Sequence, residues 1–345
     1  MRWRTVLILA AVAAWLAPSS STFIERWFSN GVFLSVQRVL THFSNRVPFA
    51  FFDVLLLLLL AGVVAGTWAD VRRPGSTWPQ TVGRGVMRLT TLVAVAYLAF
   101  LATWGLNYRR LPLPERRAFD ASRVSPENAG RLATLTVARV NALYVAAHAE
   151  TPSPVDEVDV RLARAFMTAQ PAFATSTPLV PGRPKRSLLD FYFRRAGVAG
   201  MTDPYFLETL IATDLLPVER PMVVAHEWGH LAGLGDEGEA NFAGFVACLQ
   251  GSALQQYSGW LSLYGDVIGG LPRPDADRVA QALDPGPRAD LQAIRERLLR
   301  QISPTVASAG WRVYDRYLKA NQVNQGTNSY ADVVRLVLGT QAAEP

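Results

Sequence analysis

The chain has 345 residues, half of them hydrophobic and only 18% charged, which is too apolar for an ordinary soluble domain and points to membrane segments beside one globular domain. Its net charge of +6 comes from arginine, since Lys185 and Lys319 are the only lysines, and no basic stripe interleaved with aromatics accompanies it, so a nucleic-acid partner is excluded. The single cysteine, Cys248 in the apolar run AGFVACL, rules out an intrachain disulfide and reads as core packing rather than as a nucleophile.

Thr5 to Ala17 is an apolar run behind Arg2 and Arg4, and Pro18 directly after Ala17 is an awkward cleavage site, so an uncleaved anchor is expected. Thr22 to Pro48 is interrupted by Glu25, Arg26, Arg38 and Arg46 and does not read as a span. Its Phe23, Trp27, Phe28, Phe33, Val36, Leu40 and Phe43 make it amphipathic, suited either to the membrane surface or to packing on the domain. Phe49 to Trp68 is twenty residues long with Asp53 as its only charge, enough to cross a bilayer. Leu89 to Leu106 is a further uncharged run, ended by Trp104, Asn107 and Tyr108 at the expected interface. The reading is a membrane region over 1–107, with spans at about 5–21, 49–68 and 89–106, and a domain over 108–345. Arg2 and Arg4 before the first span, and Arg72, Arg73, Arg84 and Arg88 between the second and third, place those ends in the cytoplasm and the domain outside, with Arg109 and Arg110 weighing against.

After the linker YRRLPLPERRAFDASRVSPEN, helices are predicted over Ala129 to Ala149 and Val158 to Ala169, with His148 as a surface or capping residue. Pro171 to Pro184 reads as loop. Leu207 to Thr213, LETLIAT, is either one more helical turn or a short strand whose edge pairs with an extended peptide, as a strand near the metal helix does in zincin-type peptidases. Beyond Cys248 helices are expected over Ser252 to Ile268, Ala289 to Ile302, Ala307 to Ala320 and Tyr330 to Leu338, with breaks at Pro272, Pro285, Pro304 and Gly326. The fold class is therefore mainly α: three N-terminal transmembrane helices, then an α-rich zincin-like domain with at most a small strand element.

The chemistry concentrates in Pro221 to Cys248, PMVVAHEWGHLAGLGDEGEANFAGFVAC. His226 and His230 stand four apart, so on a helix both imidazoles reach one metal ion, and Glu227 beside them is placed to take a proton from a metal-bound water. With only four histidines in the chain, a chance HExxH is expected roughly once in a few hundred such sequences. Glu227 and the histidines are the only titratable residues between Met222 and Ala232, as in a helix buried in a core, and Gly233 and Gly235 are natural stop signals. A catalytic zinc needs a third protein ligand, for which Glu237, Asp236 and Glu239 compete. Asp236 completes HExxHxxGxxD. Glu237, ranked first, shares a helical face with Asn241, an arrangement in which Asn241 orients a ligand histidine. Tyr330, Arg312 and His148 are the candidates for a donor to the oxyanion.

The stretch LPVERPMVVAHEWGHLAGLGDEGEANF resembles the bacterial membrane family catalogued as domain of unknown function 3810, and so do AGVAGMTDPYFLE, WGLNYRR and YDRYLKANQVNQGTNSYADVVRLV. Its members look like zinc-dependent HExxH metallopeptidases, which implies a multi-pass protein of the bacterial inner membrane that hydrolyses peptide or protein substrates. The E-x-E-A-N segment resembles the E-x-x-A-D of membrane gluzincins, which favours Glu237 as ligand, although Asn241 replaces the aspartate. Two competing readings are a metal-containing binding or sensory domain without turnover, and an envelope scaffold with the histidines in its core.

Overall fold

The structure, a computed structural model, describes residues 2–173, 177–321 and 332–343. Helix α1 (Arg2–Leu16) is followed by a wide π-type turn at Ile24–Val32 and by α2 (Phe33–Ser44). Next come α3 (Phe51–Val71) and α4 (Trp78–Thr103), then α5 (Pro126–Ala149) and α6 (Val160–Ala169). Strand β1 (Pro184–Lys185), helix α7 (Asp190–Ala196), β2 (Gly200–Thr202) and β3 (Thr209–Ile211) lead to α8 (Arg220–Leu231) and α9 (Glu237–Leu249). The chain closes with α10 (Ala253–Gly269), α11 (Arg273–Gln281), α12 (Pro285–Gln301), α13 (Pro304–Ala320) and α14 (Asp332–Thr340).

Among the described residues, two helices, α3 and α4, are long and apolar enough to cross a membrane; a third crossing exists only if Trp3–Leu16 and Ser21–Ser44, bent by 108° at their break, form one. By itself α1 stops at Leu16 and covers about 22 Å against a hydrocarbon core of about 30 Å, so the expected first span at about 5–21 stands only as part of that bent pair. Asp53, the one charge in α3, sits in its first turn and accepts from Ser187 Oγ (2.6 Å) and Leu188 N (2.8 Å), so it fastens the helix start to the following domain. At the other end Asp70 pairs with Arg84 Nε (3.0 Å) and with Arg88, closing α3 and α4 into a hairpin.

The Thr22 to Pro48 segment packs on the domain with one face and leaves the other exposed. Phe28, Phe33 and Leu34 are buried in the main core, while Trp27, Val39 and Phe43 are exposed. That core runs without interruption from Ile24 through Trp104 and Trp228 to Val337, so the first hundred residues and the C-terminal part share one apolar interior. Helix α8 packs on α9, and α10 packs on α5.

The sheet has the order β1-β3-β2, with β1 parallel and β2 antiparallel to β3. The LETLIAT segment is therefore a strand, but the inner one; the outer strand beside α8 is β2, where Met201 pairs with Leu210. Pro285 and Pro304, read as breaks, open α12 and α13 because a first-turn proline gives up no hydrogen bond. The short helices α7 and α11 escape the periodicity for want of length. Gly326 and Tyr330 lie outside the described residues.

A buried ion pair ties α3 to the sheet. Lys185 Nζ meets Glu208 Oε1 at 2.6 Å and also donates to Ser44 O at 2.7 Å, while Glu208 accepts from Phe51 N and Phe52 N at the start of α3. Both side chains are buried, so Lys185→Met leaves an uncompensated carboxylate and is expected to cost about 3–5 kcal/mol. Denaturant unfolding of the full chain checks this; a loss under about 1 kcal/mol would mean that the pair carries little stability.

Candidate metal centre

Helix α8 is held in place by its largest side chain. Trp228 is fully buried, stacks edge-on against Phe166 and donates through Nε1 to Gly182 O at 2.9 Å. The helix ends where Gly233 takes φ +80°, a left-handed turn that suits glycine and lets Leu234 N reach back to Gly229 O at 3.2 Å. Residues before the domain grip this turn: Trp104 Nε1 donates to His230 O (2.9 Å), and Arg110 Nη1 donates to Gly233 O (2.7 Å) while its Nε pairs with Glu25 (2.8 Å). Asp236 then caps α9 by accepting from Glu239 N at 3.0 Å.

The two helices cross at van der Waals contact. A Cβ added at Gly229 would stand 3.2 Å from Ala240 Cα, and one at Gly244 would stand 3.0 Å from the His226 backbone nitrogen. This approach brings Glu237 onto the histidines: its Oε2 lies 3.3 Å from His226 Nε2 and 3.5 Å from His230 Nε2. These three are the described His, Cys, Asp and Glu residues whose ligand atoms converge, all within 4.8 Å of one another. Zinc bonds of about 2.0–2.1 Å in a tetrahedron require ligand atoms about 3.3 Å apart, so the donor set fits zinc in type and the two carboxylate–imidazole separations fit it in spacing. His230 Nδ1 lies 2.7 Å from Leu234 O, which cannot donate, so that nitrogen carries the proton and Nε2 is left as the ligand atom.

Of the three candidates for third ligand, Glu237 joins the histidines and the other two do not. Asp236 is spent on its cap, and Glu239 pairs with Arg116 Nη2 at 2.7 Å on another side of α9. Asn241 lies in the wall of the same cavity but orients neither histidine: His230 is held by Leu234 O, and His226 Nδ1 is buried with no hydrogen-bond partner among the described residues.

Glu227 faces β2. Its Oε2 accepts from Thr202 Oγ1 at 2.8 Å, and Gly200 is where the strand comes closest, since a Cβ there would stand 2.7 Å from Glu227 Oε1. Burial raises the Glu227 carboxyl above its ordinary value, only partly offset by His226, His230 and Thr202. Glu237 shifts the other way: burial alone would raise it, but the two imidazoles hold it well below the usual carboxylate range. Burial would lower His230, yet the Glu237 carboxylate outweighs it and lifts His230 to about 9.

Tyr314 was not among the sequence candidates, yet its hydroxyl donates to Glu237 Oε1, leaving Oε2 for the imidazoles. It opens the stretch YDRYLKANQ, and its separation of 77 residues from Glu237 left no spacing signal. Thr202, Gly200 and Leu234 O were equally invisible, because a short strand and a backbone carbonyl carry no motif. Of the expected oxyanion donors, His148 instead binds Tyr144 O and Asp290 away from the cavity. Arg312 bonds Ser308 O in its own helix, and Tyr330 lies outside the described residues.

His226, Glu227, His230 and Glu237 line one cavity of about 1110 Å³. No curated protein and no solved structure matches the chain. A family described as "Protein of unknown function (DUF3810)" matches residues 28–338, which takes in α2, both long apolar helices, the sheet and the His226–His230–Glu237 cluster, and the chain belongs to that family.

Proposed function

We propose that the protein is a membrane-anchored, zinc-dependent peptidase of the bacterial inner membrane. The observation that carries this reading is the convergence of His226 Nε2, His230 Nε2 and Glu237 Oε2 on one point, with the Glu227 carboxylate beside them. A zinc ion held there would supply Lewis-acid chemistry, polarising a carbonyl and lowering the pKa of a water toward about 7. Glu227 then serves as general base and returns its proton to the leaving amine; burial, which raises its carboxyl above the ordinary value, makes it the stronger base. Thr202 fixes one of its oxygens, and Tyr314 fixes one oxygen of Glu237. Strand β2, bonded to β3 on one side and lining the cavity with Gly200, Met201 and Thr202, is the edge that would align an extended peptide.

The domain is assigned to the extracytoplasmic side. Arg72, Arg73, Arg84 and Arg88 cluster at one end of the α3–α4 hairpin, and the metal cluster lies at the other end, beyond Trp104. Arg109 and Arg110 do not oppose this. Both are buried, with Arg109 donating to Ala14 O and Arg110 pairing with Glu25. Whether the bent N-terminal pair crosses or re-enters changes the side of Met1 and not the side of the domain.

Four outcomes are expected. The full chain takes up one zinc, Glu237→Gln weakens that uptake at least about tenfold, and Asp236→Asn leaves it intact. Because His230 is protonated below about 9 in the metal-free protein, zinc displaces a proton, and affinity rises with pH by up to about tenfold per unit up to that point; calorimetric titration across pH reads both effects, and pH-independent affinity would refute the assignment of His230. Glu227→Gln keeps zinc and loses hydrolysis of a peptide library by a factor of about 10²–10⁴, whereas full activity in that variant sinks the mechanism. A phosphatase reporter active only outside the cytoplasm and fused after Pro345 is active; an inactive fusion of a stably expressed chain reverses the orientation.

A further inference from the structure

The cavity that holds the metal cluster does not end with it. From Trp104 it follows α4 down to Thr90, about 21 Å along the helix axis, and it is walled on the other side by Ile8, Val12 and Trp15 of α1. That depth is most of the apolar length of α4. Val12, Trp15 and Val93 line the cavity and are also 45%, 54% and 60% exposed, so its wall reaches the outer surface at the level of the hydrophobic helices. Along α1 and α4 the lining is aliphatic and aromatic apart from Thr90, and among the described residues the cavity lining contains neither lysine nor arginine.

Polarity and shape together select the occupant. An α-helix with side chains is about 10–12 Å across and satisfies its own backbone, so it is the competing occupant that the test below separates. An extended polypeptide would be narrow enough, but its backbone N–H and C=O groups would find no partners along an apolar wall. A hydrocarbon chain is narrow and has no polar groups to satisfy. An anionic phospholipid would supply such chains, but along the apolar wall its phosphate would meet no lysine or arginine.

Resting on the peptidase reading, we infer that the substrate is a lipidated peptide whose acyl chain slides from the bilayer into the α1–α4 cavity and sets the attached peptide against β2 and the metal cluster. The hydrocarbon gains little by leaving one apolar medium for another, so the cavity acts on position: it holds a membrane-anchored peptide at the depth of Glu227.

The test uses the full chain in phosphatidylcholine–phosphatidylglycerol vesicles, as Glu227→Gln so that nothing turns over. Three photoreactive probes are compared: an alanine–serine peptide with a palmitoyl chain, the same peptide continued into an oligoleucine spanning segment, and a phospholipid carrying the same photoreactive chain. The palmitoyl peptide is expected to label the Val12, Trp15 and Val93 wall at least about tenfold more than either of the others. Ala96→Phe or Val12→Phe, which narrow the cavity, lower that labelling by a similar factor in whichever variant retains its zinc stoichiometry. Equal labelling by the three probes, preference for the oligoleucine segment or the phospholipid, or labelling that survives both substitutions overturns the inference. Wall labelling in Glu227→Gln without cleavage of the same palmitoyl peptide by the zinc-loaded wild-type protein would overturn the peptidase reading and leave the cavity assignment standing.

Discussion

The closeness of α8 to α9 is the constraint from which the site follows. Two helices whose contact residues carried ordinary side chains would pack with axes about 8–10 Å apart, and a carboxylate on one would not fall between two imidazoles on the other. Here Gly229 meets Ala240 and Gly244 meets the backbone of His226, each at a separation that a further methyl group would close. The approach depends in turn on the tight reversal between the helices, which Gly233 permits through its left-handed backbone. Small residues at the crossing thus decide where Glu237 stands, and Glu237 decides whether the pair of histidines becomes a three-donor set.

That reversal is not self-supporting, and the groups that hold it come from the N-terminal third of the chain. Trp104 and Arg110 satisfy the carbonyls of His230 and Gly233, and Glu25 neutralises Arg110. The end of α4 and the amphipathic segment therefore brace the end of α8 directly. At the other edge of the site, Glu208 joins the start of α3 to the sheet whose outer strand touches Glu227. Membrane helices and site are one mechanical unit, and the cavity that runs between them is a consequence of that construction.

Much of this was legible in the sequence where chemistry and spacing coincide in a short window. HExxH followed by a glycine turn and an acidic helix start picks out His226, Glu227 and His230 and narrows the third donor to Glu237, Asp236 or Glu239. The apolar runs that became α3 and α4 were equally plain. What escaped had no local signature. Tyr314 reaches Glu237 from a distant helix, Thr202 acts from a three-residue strand, and Leu234 contributes only a carbonyl. Asn241 illustrates the converse error: it stands one turn from Glu237, as a supporting residue would, yet the carbonyl of Leu234 already occupies the place it was expected to fill. Arg109 and Arg110 were ambiguous because a sequence does not distinguish an arginine that marks a membrane face from one buried against a carbonyl.

Glu227 and Glu237 make the last point. Both carboxylates are buried within a few ångströms of the same imidazoles, and burial pushes both up. Only Glu237 has its oxygen against both Nε2 atoms, so it stays ionised, while Glu227 faces a hydroxyl and a glycine and is driven toward the protonated form. On the proposed reading, a carboxylate that binds zinc must be ionised, whereas one that carries a proton must be able to take it up. Two like side chains whose environments separate their proton affinities in this way is the pattern by which one site divides such roles, and here the division follows from which helix face each residue occupies.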